Sequence, residues 1–170
     1  MPNWCEGTIK FRGSAEAIID VMTHGLASCY GDDKARVWWN TKYSTESDLY
    51  FEPHDGHEFW LVDTYRMFVD MTDGYYASKY NEEDDDFIIA LPFRAAWGIR
   101  AESTEERPGL DGFAKAFNID IRATGFEQGM GFEQTVEVKR TGEVILNEDN
   151  DYGRDYGRFV WECAMPHMGG

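Results

Sequence analysis

The chain has 170 residues, 42% of them hydrophobic and 15% aromatic, enough to bury one core and to exclude global disorder. Thirty-two acidic residues against 16 basic ones give a formal charge of −16. Such a field opposes direct contact with DNA, RNA or anionic membranes and favours a basic protein partner.

Three cysteines without a C-x-x-C pair argue against a disulfide framework or a Cys-rich zinc site. The first 25 residues lack the pattern of a secretory signal, and no apolar run is long enough to span a bilayer. A single domain over 1–170, in the cytoplasm, is expected.

In chain order, Trp4 and Cys5 lead into an alternating stretch, Thr8 to Arg12, with Ile9 and Phe11 on one face. This predicts a half-buried strand that buries Trp4 and Phe11. Gly13 ends it, and Ser14 caps a helix carrying Ile18, Val21 and Met22 at helical spacing. "RVWWNT" at 36–41 reads as a strand, whereas 59–69 fits an amphipathic helix or a pair of strands; the pattern over 30–75 leaves the fold open. "NEEDDD" at 81–86 is a solvated loop before the apolar run Phe87–Leu91, a buried strand expected to stop at Pro92.

Ser103 or Thr104 is placed to cap a second helix, with Glu105 and Glu106 in its first turn and a stripe of Leu110, Phe113, Ala114 and Phe117. Alternation then predicts strands around Ile119–Ala123, Val136–Val138 and Val144–Leu146, the last two joined at Thr141-Gly142. "GFEQ" occurs twice, at 125–128 and 131–134, bracketing a bend, and Arg158–Cys163 is apolar enough to dock as an edge strand. This succession predicts an α+β layer, helices on one face of an antiparallel sheet.

Four segments carry a family resemblance. "MPNWCEGTIKFRG", "YASKYN" at 76–81, "FRAAW" at 93–97 and, after a helical segment, "GFEQGMGFEQTVEVKRTGEVIL" stand in the order of the YubB-like proteins of phages and conjugative plasmids. The chain resembles that family over about residues 1–147. Where the family has W-G-T-K-W, this chain keeps Lys79 but has Tyr76, Ala77 and Tyr80. The resemblance implies a ferredoxin-like domain from a mobile element, with 148–170 as an acidic, aromatic extension. It implies little about activity.

Candidates for chemistry are few. "HDGHE" at 54–58 offers His54 and His57 in one loop with no third imidazole nearby, so no bound metal is expected. "NEDND" at 147–151 begins like a calcium loop, but Tyr152 and Arg158 stand where that loop needs glycine and an acid. Phosphate-loop, nucleophile-elbow and zinc-deaminase motifs are missing from the sequence, so no catalytic residue and no cofactor are expected. Tyr76, Lys79, Tyr80 and Trp97 either line a pocket for a planar or anionic ligand, or fill the core while the lysine reaches solvent. Glu127 and Glu133 are placed for a carboxylate pair across the bend.

The charge itself is the strongest lead. Acids cluster at Glu82, Glu83, Asp84, Asp85 and Asp86, and again at Glu148, Asp149, Asp151 and Asp155. Rows of carboxylates can stand in for phosphates in a basic channel. With the mobile-element origin that the resemblance implies, they suggest a non-enzymatic protein that blocks a host nucleic-acid-handling defence complex, of the anti-CRISPR or anti-restriction type. The alternative is a small-ligand-binding or accessory enzyme domain using the Lys79/Trp97 region.

Overall fold

The computed structural model describes residues 3–29, 39–45, 48–53, 58–71, 74–79, 85–127 and 129–152, with side chains of 39–45 excepted. Its first strand, β1 (Trp4–Gly13), begins at the residues expected, and Cys5, Ile9 and Phe11 are fully buried. Trp4 is only half-buried; its ring meets Phe68 edge-on and carries the Arg94 guanidinium 4.9 Å from its centroid. Ser14 caps α1 (Ala15–Asp20) by accepting a hydrogen bond from the Ala17 N–H, and a π-helical turn, Val21–Gly25, continues it.

Six strands follow, β2 (Leu26–Ser28), β3 (Trp39–Thr45), β4 (Asp48–Pro53), β5 (Glu58–Leu61), β6 (Met67–Asp70) and β7 (Tyr75–Lys79), of which β3 to β6 lie within the stretch whose pattern was open. The 59–69 segment is therefore a strand pair. Its turn has Asp63 and Arg66 in the left-handed region, at φ 51° and 54°. Next come β8 (Phe87–Ala96), α2 (Leu110–Phe117), β9 (Asp120–Glu127), β10 (Phe132–Val138) and β11 (Val144–Asp151).

These findings overturn the ferredoxin-like α+β expectation. The described chain is mostly antiparallel β-sheet, eleven strands with two short helices of six and eight residues. The second helix is shorter than expected because residues 103–109 fold locally. Thr104 and Arg107 close a turn on each other, Pro108 follows, and Gly109 rather than Ser103 or Thr104 stands at the helix start. Ser103 instead reaches the first turn from outside, accepting from the Gly109 N–H and donating to the Asp111 carboxylate.

β1 lies between β8 and β9, antiparallel to both, so that Ile9 faces Leu91 on one side and Ala123 on the other. β10 extends the sheet from β9, and β11 lies at its edge. On the far flank of β8 the sheet forks. β7, with β4 and β3 beyond it, pairs with residues 87–89; β6, with β5 and β2 beyond it, pairs with residues 93–95.

The fork corrects the expectation for Pro92. The strand does not stop there but runs to Ala96. Proline interrupts a sheet because it offers no N–H to a ladder, and Pro92 sits where neither β6 nor β7 pairs with β8. One face of the sheet carries Ile9, Phe11, Ile89, Leu91, Ile121, Ala123, Val136 and Val138 into the core, together with Ile18, Met22 and Phe113 from the helical segments.

Candidate functional site

Two features stand out on the surface, the β11 edge and an adjoining cleft at the end of β8. All residues of β11 from Asn147 to Asp151 are exposed. Glu148 and Asp149 have no partner among the described residues, and Asp151 is exposed beside them. Because β11 is extended, Glu148 points away from the face shared by Asp149 and Asp151, so the three acids do not gather at one point. No cluster of three metal-ligating side chains occurs among the described residues.

The first acidic cluster is less available. Asp86 accepts from Arg140 Nη2 at 2.6 Å, and Arg140 also binds Asp120 at 3.1 Å. Asp120, buried at the start of β9, further accepts from Arg12 at 2.7 Å and from the Arg140 backbone at 2.8 Å. Burial pushes the Asp120 carboxyl up, but the Arg140 and Arg12 hydrogen bonds outweigh it and bring its pKa down to about 2. Asp85 is exposed; Glu82, Glu83, Asp84 and Asp155 lie outside the described residues. Asp86 lies by the Arg140 turn that precedes β11, so Asp149, five residues into that strand, is roughly 15–20 Å further on at about 3.3 Å per residue. Asp86 and Asp149 therefore do not stand side by side in one row.

Most described cations of the sheet are likewise committed. Arg12 holds Asp120, Arg94 holds Glu58 through both Nε (2.6 Å) and Nη2, Arg122 and Lys139 share Glu137, and Arg140 joins Asp86 to Asp120. The charge that remains on the β11 edge is negative.

The Lys79/Trp97 pocket is not assembled. Lys79 pairs with Phe87 at the start of β8 and sits 5.3 Å from its ring, while Trp97 follows the strand's far end. The ten-residue strand separates them by roughly 30 Å. Tyr76 is exposed on β7, its ring tilted 44° to that of Tyr50 from β4 at 4.8 Å between centroids; Tyr80, His54 and His57 lie outside the described residues. Glu127 and Glu133 are not paired either. Their adjacent register places them on opposite faces. Glu127 is buried and accepts from the Gly129 and Met130 N–H groups, closing the bend between the "GFEQ" repeats, while Glu133 accepts from the Tyr152 hydroxyl.

Trp97 does line a cleft, of about 440 Å³, but with other partners. Tyr65, Arg100 and Arg107 form one wall, and Gln134, Asn147 and Asp149 the other. The Arg100 and Arg107 guanidinium groups lie 5.5 and 4.9 Å from the Tyr65 ring centroid. Gln134 holds the Trp97–Ile99 loop by a double hydrogen bond, accepting from the Ile99 N–H at 2.8 Å and donating to its carbonyl at 3.0 Å. Sequence reading missed Tyr65, Arg100, Arg107 and Gln134, because they come from separated segments and no local motif joins them.

Among the described residues no helix is long and apolar enough to cross a membrane. No family model, curated protein or solved structure matches the chain.

Proposed function

We propose that this chain is a non-enzymatic protein of phage or plasmid origin that occupies the basic nucleic-acid-binding surface of a host defence complex, presenting its acidic edge in place of DNA. The origin rests on the resemblance of the opening and of "FRAAW"; the binding mode rests on β11. The observation that carries it is an exposed strand edge with carboxylates at 148, 149 and 151, while the sheet cations Arg12, Arg122 and Arg140 are held by other acids. With alternate side chains on opposite faces, Asp149 and Asp151 share one face about 6.6 Å apart and Glu148 lies on the other, so the edge is acidic on both sides. A charged edge also keeps sheets from pairing with one another, so the experiment must separate recognition from edge protection.

The test is DNA cleavage by a type II CRISPR effector and by a restriction enzyme, each titrated with the protein. Inhibition of at least one is expected, competitive with DNA and weakening steeply with salt, since the screening length is about 8 Å at physiological ionic strength. Reversal of Glu148, Asp149 and Asp151 to lysine is expected to abolish inhibition without lowering the melting temperature. A matched reversal of Glu16 and Asp20 on α1 is expected to leave inhibition intact. Equal inhibition by both variants, insensitive to salt, sinks the proposal and leaves the edge charge as protection against aggregation.

A further inference from the structure

We infer that the Trp97 cleft binds a nucleoside monophosphate, with the base on the Trp97 indole, the phosphate between Arg100 and Arg107, and the sugar hydroxyls on Asp149. This site is independent of the inhibitory reading, although Asp149 belongs to both surfaces.

The arginines point to the anion. Arg12, Arg94, Arg122 and Arg140 each hold a carboxylate, whereas Arg100 and Arg107 have none among the described residues. Both are gathered on the single ring of Tyr65. A guanidinium stacked on an aromatic face keeps its in-plane N–H donors available, and that fork matches a phosphate. Arg100 Nε is buried without an acceptor. With no surface open to the cleft, that nitrogen cannot meet a ligand there, so the anion would be held by the terminal Nη donors of the two guanidinium groups.

Trp97 points to a planar group. Its backbone is left-handed, φ 72°, a conformation that costs a non-glycine residue roughly 1–2 kcal/mol. The strain is held in place by the Trp97 N–H bond to the Asn3 carbonyl at 2.9 Å and by the Gln134 clamp two residues on. The outcome is an indole 60% exposed at a concave surface, fixed by its own loop. Base stacking on such a ring is worth about 1–3 kcal/mol and tolerates any base.

The acid on the opposite wall selects among anions. Asp149 would repel a simple polyanion, but a carboxylate accepts hydrogen bonds from ribose hydroxyls, as in dinucleotide sites. A ligand that is planar at one end, anionic at the other and hydroxylated between them satisfies all three groups. The volume falls within the roughly 300–1,000 Å³ of small-ligand clefts.

Isothermal titration of the full chain with adenosine 5′-monophosphate, adenosine and ribose 5-phosphate tests the assignment. The monophosphate is expected to bind at least about tenfold more tightly than either fragment, the size of effect that charged hydrogen bonds and stacking each give. Arg107→Ala is expected to reduce the nucleotide to the affinity of adenosine while leaving adenosine unchanged, with Arg107→Lys between. Trp97→Ala is expected to reduce it to the affinity of ribose 5-phosphate, and Trp97→Phe to restore part of the loss. Arg107 and Trp97 are both exposed, so each variant is expected to fold, which melting curves are to check. The assignment is overturned if none of the three compounds binds at millimolar concentration, if nucleotide and ribose 5-phosphate bind equally, or if Arg107→Ala weakens adenosine as much as the nucleotide.

Discussion

Phe11→Ala is expected to lower the unfolding free energy by about 3–5 kcal/mol, the usual cost of deleting a buried aromatic ring and leaving its cavity. Phe11 is fully buried on β1, opposite Ile89 on β8 and Ile121 on β9, with the Phe113 ring of α2 at 6.0 Å. It touches three elements, so the hole cannot close by moving one of them. The loss is a large share of a typical domain's 5–15 kcal/mol. Urea denaturation should show a lower midpoint at unchanged slope. Trp4→Ala should cost less, because Trp4 is half-buried and borders Phe68 and Arg94 on the sheet surface. Deleting residues 1–7 should also lower the melting temperature, since Trp4 to Gly7 pair with Phe93 to Ala96. An unchanged melting temperature would mean that the part of β1 before Thr8 contributes nothing.

Asp120→Ala is the second large effect, expected at about 2–3 kcal/mol near neutral pH, below the roughly 3–5 kcal/mol of a fully buried pair because Arg12 and Arg140 remain partly exposed. The variant leaves Arg140 with Asp86 alone and Arg12 without its carboxylate. The pH dependence distinguishes this loss from simple loss of packing. The carboxyl titrates near 3.8 when unperturbed and at about 2 in the fold. Its contribution, on the order of 2 kcal/mol, is therefore fully present above pH about 4 and disappears as pH falls towards 2. Compared with Asp120→Asn, the wild-type advantage should narrow across that interval. A gap that stays constant from pH 5 to pH 2, roughly spanning both pKa values, would show that the charge of Asp120 adds nothing.

What could be read from the sequence was local. Alternation over Thr8–Arg12 located β1, Ser14 located the start of α1, and Thr141-Gly142 located the β10–β11 turn, where Gly142 has φ 88°. Each signal lies within a few residues of what it specifies. The failures are long-range. Pro92 reads as a terminator until the neighbours of β8 are known, and Ser103 reads as a cap until Asp111 is seen to draw it outward. The six strands between Leu26 and Lys79 are mostly short, four of them three to five residues long, too short for periodicity to separate strand from helix. At the site, the exposed acids of 148–151 were visible because a charge run advertises itself. The Tyr65–Arg100–Arg107 group was not, since a guanidinium stacked on a ring 35 or 42 positions earlier leaves no local trace.

The position of β1 between β8 and β9 has a consequence for synthesis. β1 leaves the ribosome before both its neighbours, which lie in residues 87–127, so Ile9 waits for Leu91 and then for Ala123. At translation rates of about 5–20 residues per second, an apolar strand stays without a partner for several seconds. Pairings of such sequence separation also form slowly once the chain is complete. The folding yield should therefore depend on how quickly β8 is delivered rather than on the strength of the finished sheet.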